Sequence, residues 1–228
     1  MASRAPTGAC VVAADSGADV TPGYWDEACR HLGRRDRVMK KLIPRFGQAR
    51  LQSRGDAFTT LARSIVGQQI SVKAAQSVWE RLVGTVGGSD HRLSPQALLD
   101  CTPEALRGAG LSARKTEYLH DLARHFDSRL IHVDQWRDMA DEAIIAELIG
   151  IRGIGRWTAE MFLIFHLMRP NVLPLDDIGL QNGISRAYFS GEPVSRSEIR
   201  EVAASWAPFC SVATWYIWRS LDPLPVSY

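Results

Sequence analysis

The sequence predicts an all-α protein, and three observations carry that expectation. Apolar residues recur at three- and four-residue spacing along most of the chain, as on one face of a helix. Helix-start signals repeat: Asp56, Ser71, Ser94-Pro95, Thr102-Pro103, Ser112 and Ser195 each stand before such a run. No convincing stretch alternates apolar and polar residues as a half-buried strand does, and no repeat has a fixed period. At 228 residues, 46% hydrophobic and 23% charged, the chain can bury one large core or two smaller ones.

The first helix is expected from Pro22, with Trp25, Ala28, Cys29 and Leu32 inward and Gly33 as its stop. Residues 34–54, RRDRVMKKLIPRFGQARLQSR, are densely basic and read either as a solvated face or as a flank for nucleic-acid phosphates. Asp56 caps a helix to about Gly67, burying Phe58, Leu61, Ile65 and Val66. Ser71 caps the next, Val72–Leu82, with Val78, Trp79 and Leu82 inward, and Gly84, Gly87 and Gly88 make a loop. Two short helices follow the Ser-Pro and Thr-Pro pairs, and Gly108 and Gly110 stop the second. Ser112 opens a longer helix to about Phe126, with Tyr118, Leu119 and Leu122 on one side. Helices Asp141–Ile149 and Arg156–Met168 flank a Gly-x-Gly turn. Ser195 and Glu198 have capping-box spacing for a helix toward Trp206, which Pro208 interrupts. The last helix, about Ser211–Ser220, carries Trp215, Tyr216 and Trp218.

A formal charge of +2 permits a polyanionic partner without demanding one. Cys10, Cys29, Cys101 and Cys210 are too far apart for zinc or iron–sulfur spacing, so reduced thiols in a cytoplasmic protein are expected. No apolar run reaches membrane-spanning length, and residues 1–20 read as a loose tail rather than a cleaved signal peptide.

The chemistry concentrates in Leu148–Phe162, LIGIRGIGRWTAEMF, and Leu173–Leu180, LPLDDIGL. A tight turn between helices leaves the first amides of the second helix without intrahelical partners, and the helix dipole adds partial positive charge there. Such an end holds a phosphate, with Gly153 and Gly155 allowing close approach and Arg156 adding a charge. A plain αα-hairpin is the alternative. The acidic pair Asp176-Asp177 can stabilise a developing cation, or simply cap the helix that begins near Ile178.

Five segments in order, SIVGQQISVKAA, GLSARKTEYL, the hairpin, the acidic loop and WAPFCSVATWYIW, resemble the helix–hairpin–helix, endonuclease III-like DNA glycosylase superfamily, and within it the DNA-3-methyladenine glycosylase II branch. The resemblance covers about Phe58 to Trp218. It implies two helical lobes, one of residues 21–56 plus 171–228 and one of 57–170 ending in the helix–hairpin–helix (about 141–168), with the active site in the cleft between them. It implies excision of alkylated purines from double-stranded DNA by a monomer. The catalytic carboxylate is assigned to Asp177 by a Pro-x-x-Asp reading, with Asp176 the runner-up on a Pro-x-Asp reading. Members that nick DNA carry a lysine at the start of the second hairpin helix; here Trp157 stands there, so hydrolysis without lyase activity is expected. Trp157 and Trp218 would form an aromatic pocket for a cationic base, with Met161 where some members place an aromatic. Gln69 and Ile70 occupy the wedge position that fills the gap left by a flipped base; the alternative is that Gln68 and Gln69 only tie the helix turn. The carbonyls of Ile149, Ile151 and Ile154 match positions that hold a monovalent cation, Na+ or K+. Two departures stand out: Cys210 replaces an arginine of the C-terminal motif, and no β-rich domain has room before Phe58.

Overall fold

The computed structural model describes residues 21–53, 55–87 and 92–221; the expected tail at 1–20 lies outside them, as does Gly88 of the expected loop. The described residues form α-helices and two short 3-10 turns, with no β-strand among them. The helices are α1 (Trp25–Arg35), α2 (Arg37–Leu42), α3 (Ala57–Gly67), α4 (Val72–Val86), α5 (Pro95–Leu99), α6 (Pro103–Gly108), α7 (Ala113–Asp127), α8 (Asp141–Ile149), α9 (Arg156–Phe165), α10 (Ile178–Tyr188), α11 (Arg196–Ala203) and α12 (Cys210–Leu221). None is long and apolar enough to cross a membrane.

The caps act as the sequence indicates. The side chains of Asp56, Ser71, Ser94, Thr102 and Ser112 each accept an amide of the first turn, and Ser195 and Glu198 complete a capping box. Four elements differ. Helix α4 runs through Gly84 to Val86 rather than stopping at Leu82, because Val83 and Val86 are buried. Gly33 does not end α1, because Leu32 is buried and packing carries the helix on to Arg35. The basic run hides α2, which Asp36 caps through the amides of Val38 and Met39 while Met39 and Leu42 are buried. Helix α9 stops at Phe165 rather than Met168, which takes a left-handed conformation at φ +53°.

The helices pack in two sets. Helices α3, α5 and α6 lean on α7, α4 packs on α3 and α6, and α9 joins through α3 and α8. Edge-to-face rings run through this core from Phe58 to Phe126, Trp136 and Phe162, with centroids 5.2–6.3 Å apart. In the other set, α1, α2 and α10 pack on α12. Here Trp25 meets Trp215 edge-on at 5.1 Å, so Trp25, like Trp79 in the first set, is core.

Close packing of α10 on α12 depends on glycine. A Cβ at Gly183 would fall 2.2 Å from the Ile217 side chain, and one at Gly179, a turn earlier, 3.1 Å from the Trp218 ring. These two positions let α12 approach α10 near enough for Trp218 to reach the loop before α10.

Candidate active site

The loop from Val172 to Asp177 delivers the acidic pair to the start of α10. Asp177 caps that helix: its Oδ1 accepts the Leu180 amide at 2.6 Å. The same oxygen accepts the indole N–H of Trp218 at 2.7 Å, and Oδ2 accepts that of Trp157 at 2.8 Å. Three N–H donors from three elements therefore fix the plane of one carboxylate, which is only 9% exposed. Asp176 behaves differently: it is exposed and pairs with Arg196 of α11. Of the two carboxylates expected either to stabilise a cation or to cap the helix, Asp177 is the cap.

The structure thus brings Asp177, Trp157 and Trp218 together at the seam between the two helix sets. Trp157 is 40% exposed and meets Asp177 with its edge. One face of Trp218 stacks on Phe165 at 5.7 Å. Met161, one turn beyond Trp157, is 5% exposed and belongs to the core. It underlies the site as packing and adds no open wall to it.

The hairpin is built by α7 and the loop after α3 as much as by its own glycines. Gly153 has φ +87°, and a Cβ there would run into the Tyr118 ring at 2.2 Å. The Arg152 amide donates to Asp121 Oδ2 at 2.9 Å, and Gln68 Nε2 donates to the Gly153 carbonyl at 2.9 Å. Burial works to raise the Asp121 carboxyl, but the Arg152 amide, the hydrogen bond from Arg124 and the charges of His125 and Arg152 outweigh it and hold it below the usual carboxylate range. Gly155 is unlike Gly153: it is extended at φ −92°, with open space where a Cβ would sit. It is the N-cap of α9 and offers no side-chain cap, so the first amides of α9 are left to an external acceptor.

Arg156, expected as a charge for phosphate, is held by two carboxylates in this structure. Its guanidinium donates to Glu142 at 2.5 and 3.0 Å and to Glu160 at 3.0 Å. Glu160 is one turn along the same helix, and Glu142 lies in the first turn of α8, so both carboxylates are within reach of the guanidinium. Burial raises the Glu160 carboxyl, with Arg156 opposing.

At the expected wedge, Gln69 is exposed at φ +59° and Ile70 is exposed beside it. Gln68 ties the turn to the hairpin, and Lys115 donates to the Val66 carbonyl at 2.7 Å to close the end of α3. Sequence reasoning did not single out Asp121, Lys115 or Gly179 at all. The signal for the first two lay in GLSARKTEYLHDL, where polar residues share the apolar face of an amphipathic helix. The signal for Gly179 was two glycines four residues apart inside a helix. Among the described residues, no group of three or more His, Cys, Asp or Glu side chains is arranged to hold a metal.

Residues 62–209 match the family model described as HhH-GPD superfamily base excision DNA repair protein. The chain belongs to this superfamily. The Bacillus subtilis protein YfjP is 33% identical over 169 residues, 72% of this chain and 59% of its own length, so the chain spans somewhat over half of that relative. The crystal structure of a DNA-3-methyladenine glycosidase from Bacillus halodurans superposes with a TM-score of 0.79 at 32% identity, covering 90% of this chain and 93% of that one. A Schizosaccharomyces pombe 3-methyladenine DNA glycosylase in complex with abasic DNA superposes with a TM-score of 0.71 at 29% identity, covering 89% and 99%.

Proposed function

We propose that this member is a monofunctional DNA glycosylase that flips an alkylated purine, of 3-methyladenine or 7-methylguanine type, out of duplex DNA and hydrolyses its N-glycosidic bond. The observation that carries the reading is the Asp177 carboxylate held between two indoles. The names of the relatives, and the abasic DNA bound to one of them, support both the reaction and the partner.

As the glycosidic bond stretches, positive charge builds on the sugar, and a preorganised carboxylate stabilises it. Water then adds at C1′ and sheds a proton, which the Asp177 carboxylate is placed to accept or pass to solvent. A purine methylated at N3 or N7 is cationic, and the bond electrons neutralise it as it leaves. An aromatic face attracts the cationic base before cleavage by about 0.5–2 kcal/mol. Trp157 supplies an exposed ring for this. The hairpin amides at the start of α9 would take a backbone phosphate, while Gln69 and Ile70 fill the vacated stack.

A monovalent cation at the hairpin is part of this proposal. Gln68 takes the Gly153 carbonyl, and the Ile151 carbonyl accepts the Ile154 amide at 3.1 Å with one lone pair to spare. The carbonyls of Ile149, Ile151 and Ile154 are neutral oxygen donors, which suit such an ion. When bound, it would add positive charge beside the phosphate.

Asp177→Asn tests the assignment, because asparagine keeps the helix cap and so the fold. Single-turnover release of 7-methylguanine should fall by about 10²–10³-fold with duplex binding retained. Unchanged excision would remove Asp177 from the reaction. With no lysine between Gly153 and Asn182, borohydride should trap no covalent adduct on abasic DNA.

A further inference from the structure

The basic run left between two readings by the sequence is absorbed neither by the fold nor by the site. Arg30, Arg34, Arg35, Arg37, Lys40, Lys41 and Arg45 are all exposed. None forms an ion pair among the described residues, although other arginines of the chain do. The one acid among residues 30–45 is Asp36, and it is buried. It caps α2 and accepts the Tyr188 hydroxyl at 2.8 Å and the Trp206 indole at 3.1 Å. Seven cations therefore stand without a neutralising partner in a chain whose whole net charge is +2, so the rest of the molecule is net acidic. Arg37, Lys40 and Lys41 share one face of α2, opposite the buried Met39 and Leu42.

The stripe lies across α12 from the site. It ends in the 3-10 turn Ile43–Phe46, and the Phe46 ring lies 6.1 Å from Tyr216 and 5.6 Å from the Arg219 guanidinium on α12. Trp218, the donor to Asp177, projects from the other side of the same helix, so α12 separates the stripe from the site. The hairpin reaches Asp177 from the opposite helix set, through Trp157. The family model begins only at residue 62, so the stripe lies outside the matched span.

We propose that this stripe is a second phosphate-binding surface, which grips the duplex flanking the lesion on the side away from the hairpin. It rests on the glycosylase reading in taking the same DNA as its partner. Arg156 is shared with Glu142 and Glu160, and the stripe adds unpaired cations on the other helix set.

The test compares the wild type with Arg37→Gln/Lys40→Gln/Lys41→Gln. These surface changes leave the buried face of α2 intact. Fluorescence anisotropy with labelled abasic-site duplexes is measured from about 50 to 200 mM KCl. One duplex ends within a helical turn of the lesion on each side, and the other extends several turns. Each lost phosphate contact lowers the slope of log affinity against log salt by about 0.9, so the variant should lose about 2–3 of slope on the long duplex. Its affinity there should fall about tenfold, with a much smaller loss on the short duplex. An unchanged slope on the long duplex, as expected if the stripe meets an acidic protein instead, overturns the proposal. So does an equal loss on both lengths. If the wild type shows the stripe-dependent slope but releases no alkylated base, the catalytic reading fails and the stripe stands.

Discussion

Asp177 combines a structural and a chemical task in one side chain, since the oxygen that caps α10 also receives Trp218. The position of that carboxylate is set by a residue with no side chain. A Cβ at Gly179 would sit 3.0 Å from Asp177 Oδ1 and 3.1 Å from Trp218 Cδ1. Gly179→Ala should therefore lower single-turnover excision by about 10–10²-fold through misplacement of the carboxylate. Its unfolding free energy should change by less than about 1 kcal/mol, because alanine's better helix propensity offsets the crowding. Parallel loss of stability and rate would instead mean that α10 itself has shifted. The sequence was informative about Asp177, Trp157 and Trp218, because their residue types announce charge stabilisation and aromatic contact. It was silent about Gly179, because an absent side chain acts only through neighbours that the fold supplies.

At the scale of elements, the hairpin illustrates how two similar glycines differ. Gly153 combines a positive φ with direct packing on Tyr118, so Gly153→Ala should destabilise the protein by about 1–3 kcal/mol and weaken duplex binding. Gly155→Ala meets open space in an extended backbone and should leave thermal unfolding unchanged. Any loss of duplex affinity in that variant then reports a phosphate approaching the α9 amides too closely for a methyl group, and undiminished affinity would argue against that approach. Helix positions were readable from caps and apolar spacing, as at Asp56, Ser71 and Ser112. The helix that escaped, α2, has only two buried residues among its charges, and Asp36 was the one signal that it begins there. The Arg156–Glu142 pair escaped for a different reason: the two residues are fourteen apart in sequence, whereas Glu160 at i+4 was a local signal for the other half of the clamp.

Across the whole molecule, the two helix sets meet through few polar links. The Tyr24 hydroxyl donates to the Met168 carbonyl at 2.7 Å, the Ser211 hydroxyl joins the backbone of Arg169 and Val172, and Trp157 reaches Asp177. Global stability should carry an acid limb set partly by Asp121. Its carboxyl is held low in the folded state, so the stabilisation is complete above the unfolded value of about 3.9 and disappears as pH falls through the lower folded value. Asp121→Asn should be less stable by about 1–3 kcal/mol at neutral pH and should lose less on acidification. Urea unfolding at a series of pH values checks this, and equal acid slopes in both proteins would count against it. One feature of the seam also makes the protein its own optical instrument. Of seven tryptophans, Trp25, Trp79, Trp136, Trp206 and Trp215 are buried, and Trp218 is covered on one face by Phe165. Trp157 alone stands well exposed, against a carboxylate, so the difference in intrinsic emission between the wild type and Trp157→Phe should report occupancy of the site and separation of the two helix sets without any added label.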